Sequence, residues 1–199
     1  VTVDFIGDLQ LDASLRRAGL YLGSDWSEHH AGTCGVGTAI ATGQALTVHQ
    51  GDHFDATHIP LTCTAAPVYD PLGRLNAILD ISALTSPQAK NSQHLALQLV
   101  KVYAQRVENA NFLRCFRKDW VLKLHPSPEF VEISPDHLVA LDDAGRIVGH
   151  NRAAQLMLEG DHCSTVLGLP FDRLFHARLD DMGRFMRAMP GELRAVTLV

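Results

Sequence analysis

The 199-residue chain predicts an α+β protein, and three observations predict it. Two strand-like runs, Leu61 to Tyr69 and Arg74 to Ser82, are joined by Asp70-Pro71-Leu72-Gly73, with Pro and Gly where a type I turn takes them. Strands joined by so short a turn form an antiparallel hairpin. Beyond them Leu95, Leu99, Tyr103, Val107, Ala110, Leu113 and Phe116 recur at steps of three or four, the period of one long helix. A strand–turn–strand–helix order then begins again near Asp136. Hydrophobic residues make up 46% of the chain, enough to give two modules their own cores.

Taken in order, Val1 to Ile6 reads as a strand, and Asp12 as the cap of a short helix through Leu15 and Ala18 that Gly19 ends in a left-handed turn. A Gly-rich run leads into a helical stretch from Gly37 to Thr42, and Leu46 to His49 reads as a strand. After the hairpin, Ser86-Pro87 supplies an N-cap and a first-turn proline. The helix that follows would reach ~45 Å if it ran for ~30 residues. Its second apolar stripe, Leu97, Val100 and Ala104, predicts one face for its own module and another for a partner helix, with core packing alone as the other reading.

Pro126, Pro128 and Pro135 mark a linker. His137 to Leu141 is a predicted strand, Asp142 to Gly145 a tight turn, Arg146 to Gly149 the returning strand, and Asn151 the cap of a helix holding Ala154, Leu156 and Leu158. Leu169 to Phe175 reads as a further helical turn, and Glu192 to Val199 alternates as a strand does. The expected division is 1–85, a first module cut at its N-terminal side; 86–118, the helix; 119–135, the linker; and 136–199, a second module cut at its C-terminal side.

Net charge is −5 and Lys and Arg form no block, so the electrostatic footprint of a nucleic-acid binder is lacking. No apolar run approaches the roughly 20 residues of a membrane span. Cys34, Cys63, Cys115 and Cys163 are scattered and form no CxxC pair, which predicts free thiols in a reducing cytoplasm.

The most informative stretch is WSEHHAGTCGVGTA, Trp26 to Ala39, followed by LTVHQGDHF, Leu46 to Phe54. It is too polar and glycine-rich for ordinary core, so it is expected at the mouth of a pocket. Gly32, Gly35 and Gly37 stand as GxxGxG, the reverse of a dinucleotide fingerprint, with no following lysine. Two readings stay open for them: helix-start N–H groups facing a polar ligand atom, or glycines needed only for close packing. His49, His53, His58 and Cys63 hold enough nitrogen and sulfur for a tetrahedral metal, or serve as hydrogen-bonding pocket residues, or are structural. Trp26 and Phe54 are candidate aromatic walls. Asp80, among Ile78, Leu79 and Ile81, must turn outward or be paired. No Ser-His-Asp, paired-carboxylate or HExxH pattern is present, so no catalysis is expected.

With these residues in place, WSEHHAGTCGVGTA, ALTVHQGDHF and LTCTAAPVYDPLGRLNAILDIS together resemble a GAF domain, the one near the N-terminus of acetoin-operon-type activators of sigma-54-dependent transcription. The likeness runs on through WVLKLHPSPEF into a second module that resembles the front half of a PAS domain. The resemblance implies an effector-binding GAF domain, an antiparallel sheet with flanking helices, whose signal passes along a dimeric helix. It also implies an AAA+ ATPase acting on sigma-54 polymerase and a DNA-binding helix-turn-helix, both outside this chain, so no direct nucleic-acid contact and no membrane contact are expected of it. The expected effector-contacting set is Trp26, His30, Cys34, Thr38, His49, Phe54, Cys63 and Asp80, with a small acetoin-, alcohol- or ketone-like molecule and no metal or cofactor. The alternatives are a metal- or gas-sensing GAF domain and a ligand-free dimerisation scaffold.

Overall fold

A computed structural model describes residues 9–84, 89–160, 165–178 and 196–198. The expected strand at Val1 to Ile6, the Ser86-Pro87 cap, Cys163 and most of the Glu192 to Val199 strand lie outside them. The chain divides into two compact units, Val1–Val68 with Leu75–Ala104, and Tyr69–Arg74 with Gln105–Val199.

In the first unit, α1 (Leu9–Arg17) begins before Asp12, which is therefore an interior residue and not a cap. Gly19 follows at φ +78°, the left-handed geometry that glycine supplies at helix ends. Then come the single turn α2 (Glu28–Ala31) and α3 (Gly35–Thr42), which starts two residues ahead of the predicted Gly37. Strand β1 (Leu46–His49) pairs antiparallel with β2 (Thr62–Tyr69), placing Val48 opposite Cys63, and β2 lies between β1 and β3 (Leu75–Ala83). Residues from Leu61 to Ala66 are all buried, because β2 is covered on both faces. Ala66 and Val68 pack with Val100 and Ala104 of the long helix α4 (His94–Cys115), while Cys63 faces α3.

Helix α4 has 22 residues, close to 33 Å at about 1.5 Å per residue, shorter than the predicted span because a 3-10 turn occupies Lys90–Gln93. The buried line is Val100, Ala104, Glu108 and Phe112, the minor stripe of the sequence pattern extended by four-residue steps. The stronger stripe, Leu95, Leu99, Tyr103 and Val107, stays exposed, Leu95 at 78%.

In the second unit β4 (Trp120–Leu124), β5 (His137–Leu141) and β6 (Ile147–His150) form an antiparallel sheet in that order, followed by α5 (Arg152–Glu159). Strand β4 lies within residues 119–135, where the sequence offered no strand. The prolines only bound this strand, whose Leu122 and Leu124 pack with Val139, Leu141 and Ile147, and whose Val121 packs with Phe112, Leu138 and Ala140. Asn151 caps α5 as predicted: its Oδ1 accepts from Ala154 N at 2.9 Å and from Leu138 N at 3.1 Å. Its Nδ2 donates to Asn109 Oδ1 at 2.7 Å and to Asp136 O at 2.8 Å. A 3-10 turn at Phe171–Arg173 stands where a helical turn was expected. No described helix is long and apolar enough to cross a membrane.

Candidate functional site

The glycine-rich run brings α3 against β2 and β3 by removing side chains where backbones touch. A Cβ on Gly35 would lie 2.6 Å from the Cβ of Cys63, and one on Gly37 would lie 2.7 Å from the carbonyl oxygen of Trp26. Of the two readings of these glycines, close packing is the one the structure supports. The start of α3 is occupied by the two thiols. Cys34 is the N-cap, its Sγ accepting from Gly37 N at 3.3 Å and donating to Trp26 O at 3.3 Å. Cys63 receives the N–H of Gly35.

Beneath α3 lies a cavity of about 20 Å³ lined by Leu20, Trp26, Gly35, Val36, Cys63, Asp80 and Ser82, with almost wholly apolar walls. That is room for one water molecule. The polar residues of its lining are Asp80 and Ser82. Ser82 Oγ donates to Asp80 Oδ2 at 2.6 Å and also lies 3.2 Å from Cys63 Sγ. Oδ1 is buried without a partner, and would stand 3.1 Å from a Cβ at Gly35. Burial raises the Asp80 carboxyl above the ordinary carboxylate value, with the Ser82 hydrogen bond opposing the rise. Burial likewise pushes the Cys63 thiol up to about 11 and raises Cys34, so both sulfurs stay protonated and unreactive at neutral pH.

Of the eight expected effector contacts, Trp26, Cys63 and Asp80 line the cavity, and Cys34 stands behind it as the cap of α3. The others fall elsewhere, each for a local reason. Phe54 is 81% exposed, its ring lying over Gly32, where a Cβ would come within 2.5 Å, so it is not a wall of this cavity. His30 is exposed and paired with Asp25 at 2.7 Å. Thr38 turns to Glu28, donating to Oε1 at 2.8 Å. His49 is buried, with Nδ1 2.8 Å from Thr62 Oγ1 on the neighbouring strand.

Reasoning from sequence missed Leu20, Val36 and Ser82. Ser82 was legible, since two residues on from Asp80 is the same face of a strand. Leu20 follows a helix end and carries no such signal.

Two imidazoles leave buried nitrogens unpartnered. His53 Nδ1 lies 2.9 Å from Gln50 O, leaving Nε2 free, and Nδ1 of His58 is free. Their ring centroids are 6.2 Å apart, and the His58 ring stands 5.0 Å from Trp26. Among the described residues no three metal-ligating side chains converge, so His49, His53, His58 and Cys63 do not form the tetrahedral set weighed from their spacing.

Residues 3–109 match the family model described as MimR, N-terminal domain. The whole chain is 65% identical over 202 residues to the acetoin catabolism regulatory protein of Cupriavidus necator, of which it covers 30%. It is 30% identical over 102 residues to the propane 2-monooxygenase operon transcriptional activator MimR of Mycolicibacterium goodii, covering 51% of this chain and 17% of that protein. A crystal structure of the E. coli DhaR(N)–DhaL complex is similar at a TM-score of 0.47 and 20% identity, over 92% of this chain and 62% of that one. The chain thus spans less than a third of the curated relatives named here, one a catabolism regulatory protein and the other an operon transcriptional activator. On the family match and on the identity over its full length, the chain belongs to the MimR N-terminal domain family, the regulatory sensor region of transcriptional activators.

Proposed function

We propose that the first unit is a GAF-like effector-binding domain in which a small neutral organic molecule takes the place beneath Trp26. The observation that carries this reading is a buried carboxylate oxygen without a partner on Asp80, a residue that lines the largely apolar cavity. An orphaned buried acceptor costs about 1–3 kcal/mol, which a ligand donor would recover. Acetoin is the first effector to test, because the relative at 65% identity regulates acetoin catabolism. At about 20 Å³ the cavity is the closed form, and admitting a four-carbon molecule requires the cover carrying Trp26 to move.

The proposed organisation is a GAF-like domain over 1–85, a signalling helix over 86–118, a connecting segment over 119–135 and a PAS-like domain over 136–199. Two copies associate through the exposed Leu95, Leu99, Tyr103 and Val107 stripe of α4. A change in the packing of that helix pair is what a following AAA+ domain of a sigma-54-dependent activator would read in the cytoplasm.

Calorimetric titration of acetoin into the chain tests the reading. Saturable binding is expected, weakened by Trp26→Ala and by Asp80→Ala. Binding that neither substitution changes would remove the cavity from the mechanism.

A further inference from the structure

A short turn between paired strands is ordinarily a solvated loop, and the one between β2 and β3 is not. Its own residues make it stiff: Gly73 N donates to Asp70 O at 3.0 Å, and Asp70 Oδ1 accepts from Leu72 N and Arg74 N, each at 2.9 Å. Tyr69–Arg74 belongs to the second compact unit, whereas β2 up to Val68 and β3 from Leu75 belong to the first.

Within the second unit the turn is held from several sides. Strand β6 is an edge of its sheet, and the N–H of His150, which an open edge would leave to water, donates to Pro71 O at 2.9 Å. Gly149 makes room for this approach: a Cβ there would stand 3.2 Å from Pro71 O and would overlap the ring of Phe116. A Cβ on Gly73 would meet the amide nitrogen of Gln155 on α5 at 2.8 Å. Glu108, buried on α4, accepts from Tyr69 N at 2.7 Å and from the backbone N–H of Arg152, the first residue of α5. The guanidinium carbon of Arg152 lies over the Tyr69 ring, 4.5 Å from its centroid.

The opposite ends of the same strands carry the cavity. Cys63 stands near the start of β2, and Asp80 and Ser82 stand near the end of β3. Both strands therefore run from the cavity lining to the turn, and a packed strand carries a displacement along its length. We propose that the β2–β3 turn is a strap, by which a change in the packing of the cavity strands reaches β6 and α5 in parallel with α4. That an effector causes the change rests on the effector reading above. The strap itself is tested without a ligand.

The two tryptophans fall one in each unit, Trp26 in the first and Trp120 in the second. In the full chain, Trp120→Phe leaves Trp26 and Trp26→Phe leaves Trp120 as the single emission reporter of urea unfolding. Gly35→Ala, which presses on Cys63 of β2, supplies the perturbation. It is expected to lower the midpoint read by Trp26 and, by a comparable shift, the midpoint read by Trp120. Pro71→Gly combined with Leu72→Gly slackens the turn without touching α4, and should cut the Trp120 shift to about half or less while the Trp26 shift stays. Glu108→Gln, which replaces one of two acceptor oxygens by a donor, should act in the same direction. A Trp120 midpoint that Gly35→Ala leaves in place overturns the coupling. A Trp120 shift kept in full by the slackened turn assigns the coupling to α4 alone and overturns the strap. Failure of acetoin to bind counts against the effector reading and leaves these midpoints as they are.

Discussion

The hydroxyl of Ser82 donates to one oxygen of Asp80 at 2.6 Å and leaves the other oxygen buried and alone. A carboxylate held so has a definite pH signature. Burial raises its pKa above 3.8, so the folded chain keeps this proton where the unfolded chain has released it. The contribution of Asp80 to stability is therefore greatest at low pH and falls as pH rises past about 4. Asp80→Asn should be more stable than the parent at pH 7, with the difference shrinking toward pH 4. Urea unfolding at the two pH values checks this, and a difference independent of pH would contradict it.

Cys115 is an exposed free thiol, whereas Cys34 and Cys63 are buried free thiols. With Cys63 raised to about 11, its thiolate is scarce at pH 8. Native alkylation by iodoacetamide followed by mass spectrometry should label Cys115 first, and Cys34 and Cys63 only once the chain unfolds. The same shift makes stability fall as pH rises through roughly 9 to 11, since the unfolded thiol loses its proton first.

Gly35 is required for space and not for backbone freedom. A Cβ there would meet the Cβ of Cys63 at 2.6 Å, between two elements of a covered sheet. Gly35→Ala should cost about 1–3 kcal/mol in denaturant unfolding. Gly51→Ala, where a Cβ would meet nothing within 4 Å, is the control and should change little.

Leu99 is 46% exposed on α4, one step from the fully buried Val100. Leu99→Glu should leave the thermal unfolding temperature of the isolated copy near that of the parent, yet shift sedimentation toward the monomer. Val100→Ala should do the reverse, costing about 1–3 kcal/mol of stability through the cavity it opens, with association intact.

Asn151 uses both ends of its amide, capping α5 and β5 with Oδ1 and holding Asn109 and Asp136 with Nδ2. Replacing it with Ala strands several buried groups at once. Asn151→Ala should cost about 2–4 kcal/mol, more than a surface cap of about 1 kcal/mol, as measured by urea unfolding.

The hairpin, the long helix and the α5 cap could all be read from residue order, because each depends on contacts between neighbours in the chain. Asp70 and Gly73 close their own turn, with Gly73 N donating to Asp70 O at 3.0 Å. Strand β4 could not be read so. Trp120 to Leu124 sits close before prolines, and what makes it a strand is pairing with His137–Leu141 across an intervening segment. The same limit applies to side-chain direction: His30, Thr38, His49 and Phe54 do not line the cavity under Trp26, because Asp25, Glu28, Thr62 and Gly32 set where they lie.

Local chemistry was thus enough to establish an α+β chain with a Gly-rich run beside a hairpin and an acidic residue inside an apolar strand. Packing alone decided that α3 presses its glycines on Cys63, that Asp80 keeps one oxygen unpartnered, and that the minor stripe of α4 is the buried one. The reason is physical: turns and caps are closed by atoms a few residues apart, whereas a cavity is what remains when several distant segments meet.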